Sequence, residues 1–198
     1  FEANSIVPIK GKENLKVELL HTTHSTIQCS MPVLHTKEGI FFYALDFKFD
    51  NSPVMGLPPN YKRLKEIEKK GVKLLVVDSL YSGTDRRTPS ERIARNLVED
   101  AIGSIHDRSS ALFVTTFSSH IARLKSIVEF GRRTNRQIVF VGRSLNRYVS
   151  CAVEVKQCPF QKNIRVLKYR KQVYSFLKQV EESRGKYLVV CTGHQAEP

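Results

Sequence analysis

The sequence lacks tryptophan, is poor in methionine and cysteine, and has no apolar run long enough to cross a membrane. Its longest apolar runs, residues 40–45 and 74–77, fall far short of the ~20 residues that a spanning helix needs. The four cysteines include no Cys-x-x-Cys pair, which argues against a zinc knuckle and predicts reduced, mostly buried thiols. The first residues resemble no signal peptide and include no initiator methionine, so we expect a piece of a longer protein.

Acidic residues are also scarce, and this imbalance indicates a class of partner. The 198 residues include 32 Lys and Arg against 19 Asp and Glu, which gives a formal net charge of +13. Such a surplus favours a polyanionic partner, with nucleic acid the first expectation and an anionic membrane surface the second. The hydrophobic share of 41% is typical of a globular protein, and the length suffices for a core without disulfides or a structural metal.

The pattern changes near Tyr61 from strands to alternating helices and strands. Before it, residues 15–20, 30–36 and 40–46 are predicted strands, the last two joined by a tight turn. After it, the predicted strands are 74–78, 111–116, 138–141 and 187–191, with predicted helices between them. This alternation predicts a parallel sheet flanked by helices, and the apolar run 74–78 is of the kind that is covered on both faces.

Two of the helix starts are predicted from their capping residues. Thr88 caps the first, Pro89 takes the first helical position and Glu91 closes a capping box. Ser118 or Ser119 caps the second.

Small and polar residues gather where the predicted parallel strands end. Ligands of such sheets bind at the carboxyl ends of the strands, so we expect the site there. The strand ends read Asp78-Ser79, Thr116-Phe117-Ser118-Ser119-His120, Gly142-Arg143-Ser144 and Thr192-Gly193-His194-Gln195. Five nearby basic residues are candidates for phosphate contact, without a basis for choosing one: Arg143, Arg147, Lys168, Arg170 and Lys171.

An imidazole and a carboxylate, His24 and Asp46, follow two strands of the first part. Nitrogen and oxygen ligands of this kind suit a hydrolytic zinc site. On the residues alone, however, such a pair is more often two hydrogen-bonded polar side chains. His21 is also more consistent with a structural role than with a ligand.

An ordered series of motifs resembles the ribonuclease J family, in the β-CASP branch of the metallo-β-lactamase superfamily. The series opens with His24-Ser25, a hairpin with a Glu38-Gly39 turn, and Asp46-Phe47-Lys48-Phe49-Asp50. It continues in the family's order with Val77-Asp78-Ser79, Thr88-Pro89-Ser90-Glu91, residues 115–123, Val141-Gly142-Arg143-Ser144 and residues 192–198. The resemblance runs from about Leu15 to Pro198, and Ser-Ser-His-Ile-Ala-Arg and His-Gln-Ala-Glu-Pro are closer to archaeal members.

The resemblance implies a role for individual residues. His24 matches a zinc ligand, and Asp46 matches the carboxylate that bridges two zinc ions. Asp78 matches the acidic β-CASP residue beside the metal site, and with Asp46 and His120 it forms the expected catalytic set. The expected RNA track consists of Ser79, Ser118, His120, Thr192, Gly193 and His194. The plainer alternatives are a capping role for Asp78 and solvent-facing side chains for His120 and His194.

The sequence also departs from the family pattern. The motif His-x-His-x-Asp-His is absent and is expected before Phe1, while the last zinc histidine and the third β-CASP histidine are expected beyond Pro198. Bacterial members have Asp-Ser-Thr-Asn where this chain has Asp78-Ser79-Leu80-Tyr81, which leaves a sugar contact in doubt. They often have a histidine where this chain has Ala122, and His120 is a doubtful substitute for it.

We therefore expect an α/β chain, with part of a metallo-β-lactamase fold at residues 1–82 and a β-CASP domain with a mainly parallel sheet at residues 83–198. The resemblance implies a cytoplasmic ribonuclease that uses two zinc ions, acts on RNA as a homodimer and degrades it 5′→3′, with internal cleavage left open. The alternative is a non-catalytic RNA-binding fragment without a complete metal site. On either hypothesis, the chain alone is expected to bind zinc poorly and to hydrolyse little RNA.

Overall fold

In the computed structural model, which describes residues 2–85 and 87–193, the chain folds into two compact units that divide between Ser90 and Glu91. Each unit combines a β-sheet with α-helices, so the predicted α/β class is confirmed. The division between Ser90 and Glu91 does not test whether residues 1–82 and 83–198 belong to the two predicted fold families. That assignment stays a prediction.

The first unit holds a mixed five-stranded sheet and one helix. The strands lie in the order β1 (Ile6–Ile9), β2 (Lys12–His21), β3 (Ser30–Thr36), β4 (Gly39–Ala44) and β5 (Val72–Val77), and helix α1 (Tyr61–Lys70) precedes β5. Neighbours from β1 to β4 are antiparallel, whereas β4 and β5 are parallel. Strands β2, β4 and β5 therefore share one direction, and their carboxyl ends lie at one edge of the sheet.

Strand β5 contradicts the expectation that the apolar run 74–78 is covered on both faces. All six of its residues are exposed, and Leu74 and Leu75 are half exposed or more. Among the described residues, no element covers both faces of β5, which pairs with β4 alone. The apolar core of this unit lies between the inner strands and α1, and includes Leu20, Phe42 and Ile67.

The second unit holds a parallel sheet with helices around it, as predicted. Its strands are β6 (Leu112–Thr116), β7 (Gln137–Val141), β8 (Arg165–Leu167) and β9 (Tyr187–Thr192), arranged as β6-β9-β7-β8 with every pair parallel. The helices are α2 (Glu91–Gly103), α3 (Ile121–Gly131), α4 (Arg143–Glu154) and α5 (Arg170–Glu182). Val139 of β7 and Val189 of β9 pack with Phe176 of α5 in the core. All four strand ends therefore lie along one edge.

Helices α2 and α3 begin later than the capping residues predict. Helix α2 begins at Glu91, so the cap assigned to Thr88 and Pro89 was wrong; the hydroxyl of Ser90 instead donates to the Asp50 carboxylate at 2.6 Å. Helix α3 begins at Ile121, and its N-cap is His120, without a side-chain capping hydrogen bond. The capping role predicted for Ser118 or Ser119 was therefore wrong too.

Two compositional expectations have different outcomes. The four cysteines are free, as expected, but none is buried and Cys151 is exposed, so the prediction of mostly buried thiols was wrong. Among the helices of the described residues, none has the length and apolar character that crossing a membrane requires.

Candidate functional site

Three predicted site residues of the first unit follow strands that end at the same sheet edge. His24 lies three residues after β2, Asp46 two residues after β4, and Asp78 directly after β5. The N–H of Asp78 donates to the carbonyl of Ala44 at 3.2 Å, which joins the end of β5 to the end of β4. The structure thus brings these three backbone positions to one edge, while their roles as ligands or catalytic groups stay predictions.

Hydrogen bonds join the segment of His24 to the segment of Asp46. Thr23 and Lys48 form an isolated antiparallel bridge, in which the Lys48 N–H donates to the Thr23 carbonyl at 2.7 Å and the Thr23 hydroxyl donates to the Lys48 carbonyl. The Thr23 hydroxyl also accepts from the Asp50 N–H at 3.1 Å. This cross-linked backbone leaves the side chains of His24 and Asp46 exposed.

The backbone at Asp46 has an unusual conformation. Its φ of 40° lies in the left-handed region, which non-glycine residues adopt rarely and which costs energy. The Asp46 carbonyl accepts a hydrogen bond from the Cys29 thiol at 3.7 Å. Burial raises the pKa of the Cys29 thiol, and the charge of Asp46 raises it further.

Two other polar residues of this edge have plain structural contacts. The Asp78 carboxylate accepts from the Leu80 N–H at 2.9 Å, so the capping contact of the plainer alternative is present, and Ser79 is exposed beside it. His21 is buried, with its Nε2 2.9 Å from the Leu57 carbonyl, in agreement with the structural role predicted for it.

The donor set of the first unit fits zinc only in part. His24 and Asp46 supply nitrogen and oxygen donors of the types that zinc prefers. Over residues 2–85 and 87–193, however, no group of three or more His, Cys, Asp and Glu side chains is arranged to hold a metal ion. A zinc ion at this edge would need ligands that the described residues do not supply.

The second unit brings together the remaining described site residues. Ser118 and His120 follow β6, while Thr192 ends β9 and Gly193 follows it. Thr116 and Thr192 are paired in the parallel register, so the ends of β6 and β9 lie side by side. The predicted RNA track is thus divided, because Ser79 lies in the first unit. His194 lies outside the described residues.

The position after β9 does not require glycine. A Cβ added to Gly193 would lie 3.4 Å from the Cβ of Thr115, which is ordinary van der Waals contact. The expected role of Gly193 in the RNA track stays a prediction.

A buried ion-pair cluster that no sequence motif predicted holds the turn after β6. Glu91 is 4% exposed, and its carboxylate accepts from Arg123 Nε at 2.6 Å and from Arg123 Nη2 at 2.8 Å. Its Oε2 lies 3.2 Å from Nε2 of His120. Burial alone would raise the pKa of Glu91, but the hydrogen bonds from Arg123 and His120 outweigh burial and lower the pKa to about 2.

The cluster determines where His120 lies. Its side chain is 16% exposed, so the alternative of a solvent-facing His120 was wrong. Nε2 faces Glu91, whereas Nδ1 is buried without a hydrogen-bond partner in the described residues. The spacing of a histidine and an arginine three residues apart at a helix start was a usable signal, but it named no partner because Glu91 lies about 30 residues earlier.

Comparisons with known proteins agree with the motifs. Residues 109–198 match a family model described as ribonuclease J, beta-CASP domain. The chain is 41% identical to ribonuclease J of Pyrococcus abyssi over 100% of its own length and 44% of that protein. It is 36% identical to ribonuclease J of Methanocaldococcus jannaschii, over 93% of this chain and 41% of that protein. The chain therefore spans less than half the length of these relatives.

A bacterial relative and a solved structure extend the comparison. Ribonuclease J of Helicobacter pylori (strain J99) is 32% identical over 91% of this chain and 25% of that protein. The crystal structure of a protein of unknown function from Enterococcus faecalis V583 has a TM-score of 0.50 at 13% identity, covering 98% of this chain and 56% of that one. The structural likeness concerns the fold alone, and the resemblance drawn from the motifs is confirmed by the sequence relatives.

Proposed function

We propose that this chain is part of a ribonuclease that hydrolyses RNA phosphodiesters. The premise is that the chain resembles ribonuclease J over its whole length and carries the β-CASP domain of that family in residues 109–198. The observation that carries the proposal is the set of strand-end residues in the second unit. Hydroxyl, imidazole and backbone groups lie at one edge of a parallel sheet, where such folds bind ligands.

The second unit would hold the RNA backbone. The hydroxyl of the exposed Thr192 and the N–H groups that follow β6 and β9 are donors of the kind that bind phosphate oxygens without reading bases, whereas Ser118 is buried. His120, fixed by Glu91, lies beside them. The net charge of +13 would attract the polyanion to this surface.

The first unit would contribute to the reaction centre of the longer protein. His24 and Asp46 would bind zinc together with donors that the described residues do not supply, and Asp78 would lie beside them. Zinc, when bound, lowers the pKa of a bound water and stabilises charge on a phosphate. The resemblance extends the proposal to a 5′→3′ exonuclease that acts in the cytoplasm as a homodimer.

Hydrolysis of labelled RNA by the full-length protein that contains this chain tests the proposal. We expect Asp46→Asn to lower zinc content and to reduce hydrolysis by at least about 100-fold, because the carboxylate donor is lost. Asp85→Asn, at an exposed aspartate of the same unit, is the matched control and should leave both unchanged. Hydrolysis by Asp46→Asn at the rate of the unsubstituted protein would refute the assignment.

A second function, RNA binding without catalysis, is favoured for the 198-residue chain by itself. Its described residues contain no three-donor metal cluster. We expect this chain to bind RNA with an affinity that falls steeply with salt, and not to hydrolyse it. Two equivalents of tightly bound zinc, or turnover of labelled RNA by the isolated chain, would contradict this expectation.

A further inference from the structure

One segment of the second unit concentrates positive charge without any acid. Residues 155–180 include seven Lys and Arg and no Asp or Glu. The segment contains β8, which is the edge strand farthest from β6, and most of α5. A local surplus of this size favours a polyanion at that surface.

The exposed side chains of this segment form what we name the β8–α5 surface. It consists of Lys168, Tyr169, Arg170, Lys171, Tyr174 and Lys178. Its two tyrosines are 60% and 56% exposed, although tyrosine rings usually bury most of their area. Neither ring is needed for the core, which on this helix is formed by Phe176 and Val180.

Each tyrosine of this surface is paired with a cation. The Lys168 ammonium lies 5.2 Å from the centroid of the Tyr169 ring. The Arg170 guanidinium lies 5.3 Å from the centroid of the Tyr174 ring and its Nη2 is 3.2 Å from the Tyr174 hydroxyl. Arg170, Tyr174 and Lys178 are spaced at i, i+4 and i+8, so they share one outer face of α5.

We propose that the β8–α5 surface binds single-stranded RNA, with bases stacked on Tyr169 and Tyr174 and phosphates held by the neighbouring cations. Exposed rings interleaved with cations match a chain of alternating bases and phosphates, and stacking needs no particular base. An inserted membrane anchor would need a wider apolar face than two tyrosines offer. The identity of the polymer as RNA rests on the proposed function.

The surface continues the strand-end edge described above. The Gly142 N–H donates to the carbonyl of Leu167 at 2.9 Å, so the end of β8 lies beside the end of β7. Because β8 is three strand positions from β6, the two ends of the edge are about 14 Å apart. An RNA held at the ends of β6 and β9 would therefore have several further nucleotides available to reach the β8–α5 surface.

Fluorescence anisotropy with a labelled single-stranded oligoadenylate, and with an RNA duplex of equal length, tests this inference. We expect Tyr169→Leu and Tyr174→Leu each to weaken single-strand binding about tenfold, because leucine keeps the apolar volume but offers no ring to stack on. Tyr169→Phe and Tyr174→Phe should bind like the unsubstituted chain. Duplex binding should be insensitive to all four changes, because paired bases are already stacked.

The cations have a separate readout. Lys168→Gln with Lys171→Gln should make the dependence of log affinity on log salt shallower by about 1.4, whereas the tyrosine variants should leave this slope unchanged. Tyr43→Leu and the pair Lys62→Gln with Lys69→Gln, at exposed positions of the first unit, are the matched controls and should have no effect of this kind. Circular dichroism checks that each variant is folded.

The outcomes separate this inference from the proposed function. Single-strand binding that is lost in the leucine variants and kept in the phenylalanine variants supports it. Leucine variants that bind single-stranded RNA like the unsubstituted chain overturn the inference. If the unsubstituted chain binds RNA, the proposed function is not affected by that result. A chain that binds vesicles of phosphatidylserine and no RNA overturns both.

Discussion

Glu18 in the first unit and Glu91 in the second make the same kinds of contact. The Glu18 carboxylate accepts from Arg63 Nε at 2.6 Å and Nη2 at 2.9 Å, and lies 2.8 Å from His35 Nε2. Glu91 has the equivalent contacts to Arg123 at 2.6 and 2.8 Å and to His120 at 3.2 Å. Both glutamates are buried, and hydrogen bonds outweigh burial to lower the pKa of each.

The two clusters differ in where they lie. Glu18 is within β2, and its partners belong to β3 and to the first turn of α1, so the cluster joins helix and sheet inside the first unit. Glu91 begins α2, and both of its partners are at the start of α3, directly after the end of β6. A perturbed carboxylate alone therefore does not mark a functional site; its position relative to the strand ends is what separates the two.

The largest effect is expected from removing either carboxylate charge. We predict that Glu18→Gln and Glu91→Gln each lower the free energy of unfolding by about 3–5 kcal/mol, because each removes a buried carboxylate that pairs with a partly buried arginine. Glu18→Gln should lie at the lower end of this range, because Arg63 keeps its hydrogen bond to Glu66 at 2.7 Å. Urea unfolding followed by circular dichroism measures the change. Glu38→Gln, at an exposed glutamate, is the control and should change stability by less than about 0.5 kcal/mol. A loss below about 1 kcal/mol in either cluster would contradict the comparison.

Acid should weaken both clusters in the same direction. The pKa of Glu91 is about 2 when folded, below its ordinary 4.5, so its contribution to stability is complete above pH 4.5 and is lost as the pH falls toward 2. The pKa of Glu18 is lowered as well, so its contribution is lost in the same direction. We predict a stability loss on the order of 2–3 kcal/mol from Glu91 over that range. Glu91→Gln should flatten this part of the stability profile against pH. An unchanged profile would refute the claim that Glu91 causes this loss of stability in acid.

The elements that sequence patterns predict well are those decided by local periodicity. Helix α1 (Tyr61–Lys70) begins where the sequence pattern changes, and it ends before Gly71, whose φ of 82° suits glycine. Strand β8 was missed because three residues carry too little pattern, and the exposure of β5 was missed because burial depends on which elements pack over the faces of a strand. Local sequence does not contain that information.

The candidate site also has one part that local sequence predicts and one part that depends on tertiary packing. His24, Asp46 and Asp78 were placed after strands by the sequence, and the direction of β2, β4 and β5 brings them to one edge. The Glu91 cluster could not be predicted, because a glutamate after Thr-Pro-Ser has the pattern of a capping box. Its real partners, His120 and Arg123, depend on the packing of α2 against α3.

RNA affinity should distinguish the Glu18 cluster from the Glu91 cluster, although both stabilise the fold. We predict that Glu91→Gln weakens RNA binding by about tenfold under conditions where the chain is fully folded, because His120 and Arg123 lose the anchor that fixes them after β6. Glu18→Gln, with a matched loss of stability, should bind RNA like the unsubstituted chain. Anisotropy titrations of the two variants at equal folded fraction provide the measurement. Equal weakening in both would place Glu91 among purely structural residues.

The smallest effect concerns backbone strain at the two strand-end edges. The second unit has glycine where the backbone turns to positive φ after β7, at Gly142, whereas the first unit has Asp46 at a φ of 40°. We predict that Asp46→Ala is less stable than Asp46→Gly by about 1 kcal/mol, because only glycine adopts this conformation without strain. At Asp78, which is not at positive φ, the order should reverse, with the glycine variant less stable by about 0.5–1 kcal/mol. Thermal unfolding of the four variants tests both signs. An alanine variant as stable as the glycine variant at Asp46 would contradict the strain assigned to this backbone.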